Sequence, residues 1–371
     1  MSPSPSSDSQ NPEESAQVPI NRADPIEPAS ASFPSRIQTG EKLAYGINKG
    51  DRIGPYQVID FLGRGGFAQV FLGVDSLGKQ VALKLGDVAG GGLYVKRLLE
   101  ITSKRNAYGV SPDESPADAI SFHENGARLK FLDKYEIEDL IRAEHQLLCK
   151  IKNKSVVKVM PELYSHDDRP VIAMNFERGK TLCEILRRKE CVELHWFLGI
   201  TRDLQKLHDS GEMSAHRDLK PENIIIKKTS ATTKAMLIDP SPVIKNGKIF
   251  ITSLHYNPLL YRDSRADVMG IGVMLYEILS GELPFDEVPW KYADTDMNEV
   301  KELELQSFLT YPPIKILPEN KSLDSKNVRE LNPNASDDLV RIVNLCLTGQ
   351  PGYTLKRLEE DFVRFLKKKN P

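Results

Sequence analysis

His216-Arg217-Asp218-Leu219-Lys220-Pro221-Glu222-Asn223 packs an acid, two cations and an amide into one short run. A loop that takes a hydroxyl proton, neutralises a phosphate and holds a metal ion needs those groups together. A solvated charged turn explains mixed charge but not this order. The rest of the chain should then supply what phosphoryl transfer still lacks: a cradle for phosphates, a cation to hold them and a second metal ligand.

Candidates for each lie on both sides of the run. Upstream, Gly63-Arg64-Gly65-Gly66-Phe67-Ala68-Gln69-Val70 sits between two strand-like runs. Its glycines let the backbone turn tightly and bring N–H groups to phosphate oxygens. Val81-Ala82-Leu83-Lys84 ends an apolar strand on a lysine, and Met236-Leu237-Ile238-Asp239 ends another on an aspartate. The run 216–223 resembles the catalytic loop of the eukaryotic-type (Hanks-type) Ser/Thr protein kinases, with Lys220 marking the Ser/Thr form. The resemblance covers about residues 54–365 and implies a divergent member of that family.

From it follow the site assignments. Asp218 is implied as the base for the substrate hydroxyl and Lys220 as the stabiliser of the transferred phosphoryl group. Asn223 and Asp239 are implied as Mg²⁺ ligands. Lys84 is the implied phosphate lysine. Its carboxylate partner is Glu144 by preference, because Leu147 and Leu148 follow it as core residues would; Glu138 and Glu136 compete. Gly63, Gly65, Gly66, Val70, Ala82, Met174, Asn175, Phe176 and Ile225 are the implied nucleotide contacts, with Met174 as gatekeeper. Asp267 is implied to brace the loop backbone. ATP and Mg²⁺ are the implied cofactors, and a protein Ser or Thr hydroxyl the acceptor. A small-molecule acceptor fits the full loop poorly.

The chain also departs from the pattern. Ala68 stands at the third glycine, and Pro240-Ser241 replaces Phe-Gly after Asp239. Proline fixes φ near −65° and cannot fill the space of a phenylalanine, which predicts a segment locked in one state. Pro258 is followed by Leu259, where a glutamate is usual, and Gly352 stands near the usual place of its arginine partner. Losing one member of a buried pair would strand a charge, whereas losing both need not. These changes motivate the rival reading, a pseudokinase acting as a nucleotide-binding scaffold or regulatory protein. Against it stand Lys84, Glu144, Asp218, Lys220, Asn223 and Asp239. By the same resemblance, Arg217 implies the kind of kinase in which phosphorylation of the activation segment can matter.

The predicted fold class is α+β: a bilobal kinase fold with a small β-rich lobe carrying one main helix, and a larger helical lobe. Residues 1–48, rich in Ser, Pro, Asn and Glu, read as a disordered tail. Residues 49–178 form the first lobe and 179–371 the second. Strands are expected at Tyr56–Phe61, Gln69–Leu72, Gln80–Lys84, Val156–Tyr164 and Pro170–Phe176. Helices are expected at Glu136–Lys152, Ala266–Leu279, Ser336–Cys346 and Leu355–Lys367. An insert at about 86–134 separates Lys84 from Glu144 far more than is usual, and a helix is predicted within it at Leu93–Lys104. The insert reads equally as a tolerated surface loop or as a docking and regulatory element that sets the long helix.

The 371 residues suffice for a large core, and the formal charge of −2 leaves no basic footprint for nucleic acid. The longest apolar run, Val268–Leu279, is broken by glycines and Glu277 and is too short to span a bilayer. The N-terminus lacks a signal pattern. Four cysteines show neither metal-ligand spacing nor a disulfide frame. A cytoplasmic protein is expected, with delivery by a signal-independent secretion route left open.

Overall fold

The computed structural model describes residues 47–65, 67–86, 134–228, 232–244, 251–253, 255–259, 261–285, 328–349 and 352–368. It describes backbone alone at 17–18, 42–44, 98–103, 125–130, 249–250, 287–288, 315–316 and 369.

The first lobe is built on a six-stranded antiparallel sheet. Its order is Val159–His166, Arg169–Asn175, Gln80–Gly86, Ala68–Val74, Tyr56–Arg64 and Arg52–Ile53. Side chains alternate between its faces, as a strand period of two requires. Ala68, Ala82, Ile172 and Met174 are buried toward the helices, with Val70 packed against them. Phe71, Val81, Leu83, Leu85, Val171 and Ala173 fill the other face against Ile47, Ile53 and Tyr56. The boundary expected at residue 48 coincides with the end of a hairpin, Lys42–Ala44 paired with Ile47–Asn48, whose Ile47 is fully buried. The turn between the second and third long strands is closed by Asp75, whose carboxylate accepts from the N–H groups of Leu77 and Lys79.

The helix Lys134–Lys150 lies beside this sheet. Ile137, Leu140, Ile141, Glu144 and Leu148 are buried at helical spacing, so the stripe of one face carries both packing and Glu144. Of the helix expected at Leu93–Lys104, the described residues 98–103 are not helical. Leu98–Ser103 is instead a strand, paired antiparallel with Asn125–Lys130 on one side and Ile249–Ile251 on the other. The apolar run there is too short for periodicity to separate the two states, and a distant pairing partner decides. Residues 87–97, 104–124 and 131–133 of the insert lie outside the described residues.

The second lobe is helical around Ser264–Ser280. Asp263 caps this helix, its carboxylate accepting from the Arg265 N–H, and Gly281 ends it at φ 80°. All but a few of its side chains are buried, as expected of a helix apolar all round. Two glycines let neighbours approach closely. A Cβ on Gly270 would lie 2.8 Å from the Leu219 carbonyl oxygen, and one on Gly272 would lie 2.3 Å from Cys346 Cβ. Gly272→Ala should therefore lower unfolding free energy by about 1–3 kcal/mol through overpacking, measured by denaturant titration. Leu194–Asp209, Asp337–Leu347 and Leu355–Lys369 complete the lobe. A small sheet, Lys180–Thr181, Ile224–Lys228 and Thr233–Leu237, holds the loop 216–223 and Asp239 side by side.

Candidate active site

Lys84 and Glu144 come from elements 60 residues apart and meet in the core. Lys84 Nζ donates to Oε1 and Oε2 of Glu144 at 2.8 and 2.6 Å, with 3% and 1% of the two side chains exposed. Glu144 is thus the partner, and neither Glu136 nor Glu138 is paired with this lysine. Lys84 Nζ also lies 3.2 Å from Asp239 Oδ1 and 4.8 Å from the centre of the Phe67 ring. Burial disfavours the ammonium, but Asp239 and Glu144 outweigh it and hold its pKa above the ordinary lysine value. Burial pushes the Glu144 carboxyl up to about 7 while Lys84 pulls against it. Lys84→Met would leave Glu144 buried without a cation, at a cost of about 3–5 kcal/mol. Denaturant unfolding should show that loss, and the pair Lys84→Met/Glu144→Leu should regain most of it.

The loop 216–223 gathers the second group. Asn223 Nδ2 donates to the Asp218 carbonyl at 2.7 Å and to Asp218 Oδ2 at 3.0 Å. Lys220 Nζ lies 3.0 Å from Asp218 Oδ2 and donates to Ser253 Oγ at 2.8 Å, while the Ser253 N–H donates to Asp218 Oδ1 at 2.7 Å. Burial pushes the Asp218 carboxyl up, but Lys220 and Ser253 together hold it below the ordinary aspartate value. The carboxylate is therefore ionised and aimed by three donors. The loop backbone hangs from Asp267, whose carboxylate accepts from the N–H groups of His216 and Arg217, each at 2.9 Å. His208 Nε2 lies 3.1 Å from the same carboxylate.

Asp239 takes φ 56°, and Arg217 takes φ 67°, a region that costs a residue with a side chain. Pro240 is buried, and the Ser241 N–H donates to the His216 carbonyl at 2.9 Å. Asn223 turns its amide nitrogen to Asp218, which leaves its carbonyl oxygen for another partner, and Asp239 is one-third exposed. Two hard oxygen donors of this kind fit a magnesium ion that takes its other ligands from phosphate and water. Among the described residues no group of three His, Cys, Asp or Glu side chains forms a metal cluster.

The implied nucleotide contacts fall on two surfaces. Ala82 and Met174 are register partners, and Val70 is paired with Lys84, so all three share the Lys84 face of the sheet. Asn175 begins the link to the second lobe, its N–H donating to the Lys158 carbonyl at 2.8 Å, and Phe176 follows half-buried. Ile225 lies across that link, against Gly179. Gly63 and Gly65 lie at the strand ends, where the Gly65 N–H donates to the Ala68 carbonyl at 2.7 Å; Gly66 lies outside the described residues.

Other departures are also accommodated. Leu259 packs against the main core, and Gly352 takes φ 90° with open space around it. No carboxylate or guanidinium is left stranded at these two positions. Tyr256 donates from its hydroxyl to Glu277 Oε2 at 2.9 Å. Sequence reasoning missed the work of Arg217. Its Nε donates to the Arg262 carbonyl at 2.6 Å, Nη1 to the carbonyls of Ala215 and Ser241 at 3.1 and 3.0 Å, and Nη2 to Ser214 Oγ at 2.6 Å. It is a cross-brace within the lobe, not a free phosphate receptor. Backbone carbonyls leave no mark in sequence, so no signal could have shown this.

A family model described as the protein kinase domain matches residues 127–355. This chain belongs to the protein kinase family. The matched stretch begins inside the insert hairpin, so the strands carrying Gly63 and Lys84 precede it. A probable serine/threonine-protein kinase of Clostridium perfringens is 26% identical over 225 residues, which is 57% of this chain and 29% of that protein. The serine/threonine-protein kinase pkn2 of Myxococcus xanthus is 25% identical over 252 residues, 63% of this chain and 25% of that one. The chain thus spans less than a third of the length of either relative. A double mutant of the Mycobacterium tuberculosis PknI kinase domain superposes with a TM-score of 0.51 at 15% identity, covering 86% of this chain and 98% of that one. That likeness supports the bilobal fold.

Proposed function

We propose that this chain transfers the γ-phosphoryl group of ATP to Ser or Thr hydroxyls of proteins. The observation that carries the reading is the buried lysine bridging two acids. Lys84 joins Glu144 on the first lobe's helix to Asp239 at the mouth of the second lobe, which sets the two lobes for nucleotide phosphates. Lys84 would hold phosphate oxygens from one side, and the Gly63–Gly65 backbone would close over them. Asp218, ionised and held by Ser253, Lys220 and Asn223, would accept the acceptor hydroxyl's hydrogen bond and align its oxygen. Lys220 would face the charge that develops on the transferred group. Asn223 and Asp239 would hold magnesium, whose charge supplies neutralisation between the phosphates.

A catalytically idle scaffold would not need an ionised, triply held Asp218 beside an intact Lys84–Glu144 pair, which disfavours the pseudokinase reading. The four cysteines are free, which supports a reducing, cytoplasmic setting. Among the described residues no helix is long and apolar enough to cross a membrane. The test is transfer of labelled γ-phosphate to the chain itself and to casein with ATP and Mg²⁺. Wild type should label both, and Asp218→Ala and Asp239→Ala neither. Labelling by all three would sink the assignment.

A further inference from the structure

We propose that the insert strand Leu98–Ser103 replaces phosphorylation as the device that orders the activation segment of this kinase. The inference rests on the proposed activity and deepens it by naming how the site is kept ready. Phosphorylated activation segments are ordered by new pairs between phosphate and arginine. Among the described residues, the segment's hydroxyls and the arginine beside Asp218 are already engaged. From Asp239 to Pro258 the hydroxyl-bearing side chains are Ser241, Thr252, Ser253 and Tyr256. Ser241 is buried, and its Oγ accepts from the Ile251 N–H at 3.1 Å. Thr252 is buried and donates to the Arg217 carbonyl at 2.6 Å. Ser253 accepts from Lys220 and Tyr256 donates to Glu277. On the receiving side, Arg217 is buried with Nε, Nη1 and Nη2 all committed to oxygens within the lobe.

What holds the segment instead is main-chain pairing. Val243–Ile244, Ile249–Ile251, Leu98–Ser103 and Asn125–Lys130 form one four-stranded sheet in that order. Ile249, Phe250 and Ile251 face Glu100, Leu99 and Leu98 in register. The segment's own hairpin is thereby extended by the insert's hairpin, an addition of strands at a sheet edge within one chain. The sheet also reaches the helix that carries Glu144: Ile137 and Leu140 cluster with Phe67, Ile244 and Ile251. A segment held by Leu98–Ser103 therefore presses on the face of the helix that positions Glu144 against Lys84. The insert, read from sequence as a surface loop or a regulatory element, belongs on this argument to the second class, and its partner is the chain's own activation segment.

The experiment uses the full chain, freed of phosphate by a broad-specificity protein phosphatase that is then removed. Two variants accompany it: Leu99→Pro/Glu100→Pro, and replacement of residues 98–130 by a short Gly-Ser linker. Adjacent residues of a central strand send their N–H groups to opposite neighbours, so the two prolines remove one donor toward each. Initial rates of labelled transfer to casein and amide exchange at 249–251 are read, with exchange in the helix Ser264–Ser280 reporting that the core is folded. The dephosphorylated wild type should start at full rate with no lag. Both variants should lose at least tenfold in rate and release the amides at 249–251 while the core helix stays protected. Undiminished rates in both variants, or a wild type that slows on dephosphorylation and recovers after a lag with ATP, would overturn the proposal. A wild type that transfers nothing, but whose 249–251 amides are protected and are released by the prolines, overturns the activity and leaves the clamp standing.

Discussion

Asp218→Asn is expected to lower kcat by about 10²–10⁴-fold, the usual worth of a positioned base, with little change in the KM for ATP. The side chain keeps its shape, so the Ser253 N–H, which donates at 2.7 Å, retains an acceptor. The other end of the new amide would meet Lys220 and the Asn223 amide nitrogen, both donors, now at about 3.0 Å from Oδ2. That end can no longer take a proton or align a hydroxyl. The groups proposed to hold nucleotide, Lys84 and Asp239, lie outside this cluster, and an interaction made mainly in the transition state shows itself in kcat. Steady-state rates at saturating ATP and Mg²⁺, with ATP affinity measured separately by calorimetry, check both halves. Unchanged kcat would remove Asp218 from the chemistry. A matched rise in KM with kcat preserved would reassign it to binding.

The arrangement of the candidate site is legible in sequence where its contacts are local. The run 216–223 carries its own geometry: Asn223 reaches back to Asp218 within one turn, and Lys220 needs only two residues to reach the same carboxylate. Ala82 and Lys84, two residues apart on the strand Gln80–Gly86, share one face as a strand period of two requires. Glu144 was separable from Glu136 and Glu138 only through the core-facing leucines after it, which is a packing signal at helical spacing. What failed was long-range. Leu98, Leu99 and Ile101 fit a helix or a strand equally well, and the deciding partner, Ile249–Ile251, lies about 150 residues away. The partners of Arg217, three carbonyls and a hydroxyl, left no pattern in sequence either. The burial of Ile47 against the outer face of the sheet is one that composition does not reveal. Pro240 was legible as a change in control; that it closes onto the His216 backbone through Ser241 was not.

Asp267→Ala should be the most destabilising single change in the second lobe. The carboxylate is fully buried and serves two backbone donors and His208 at once. Removing it leaves the His216 and Arg217 N–H groups without an acceptor inside the core, at about 1–3 kcal/mol for each. It also frees a loop that it holds in an unfavourable form. Arg217 stands at φ 67°, which a residue with a side chain adopts only when its surroundings fix it. The loss should total about 3–5 kcal/mol, or on the order of 10 °C in Tm for a domain of this size. Transfer activity should fall as well, because the backbone that sets Asp218 would relax. Asp267→Asn separates the two effects. Its remaining carbonyl oxygen can serve one N–H while its amide nitrogen opposes the other, so it should recover part of the stability and little of the activity. Asp263→Ala, which removes an exposed cap four residues earlier on the same helix, should cost only about 1 kcal/mol and leave the rate alone. Thermal melts and rates on the three variants decide the matter. If Asp263→Ala and Asp267→Ala melt alike, the buried carboxylate is not what suspends the loop.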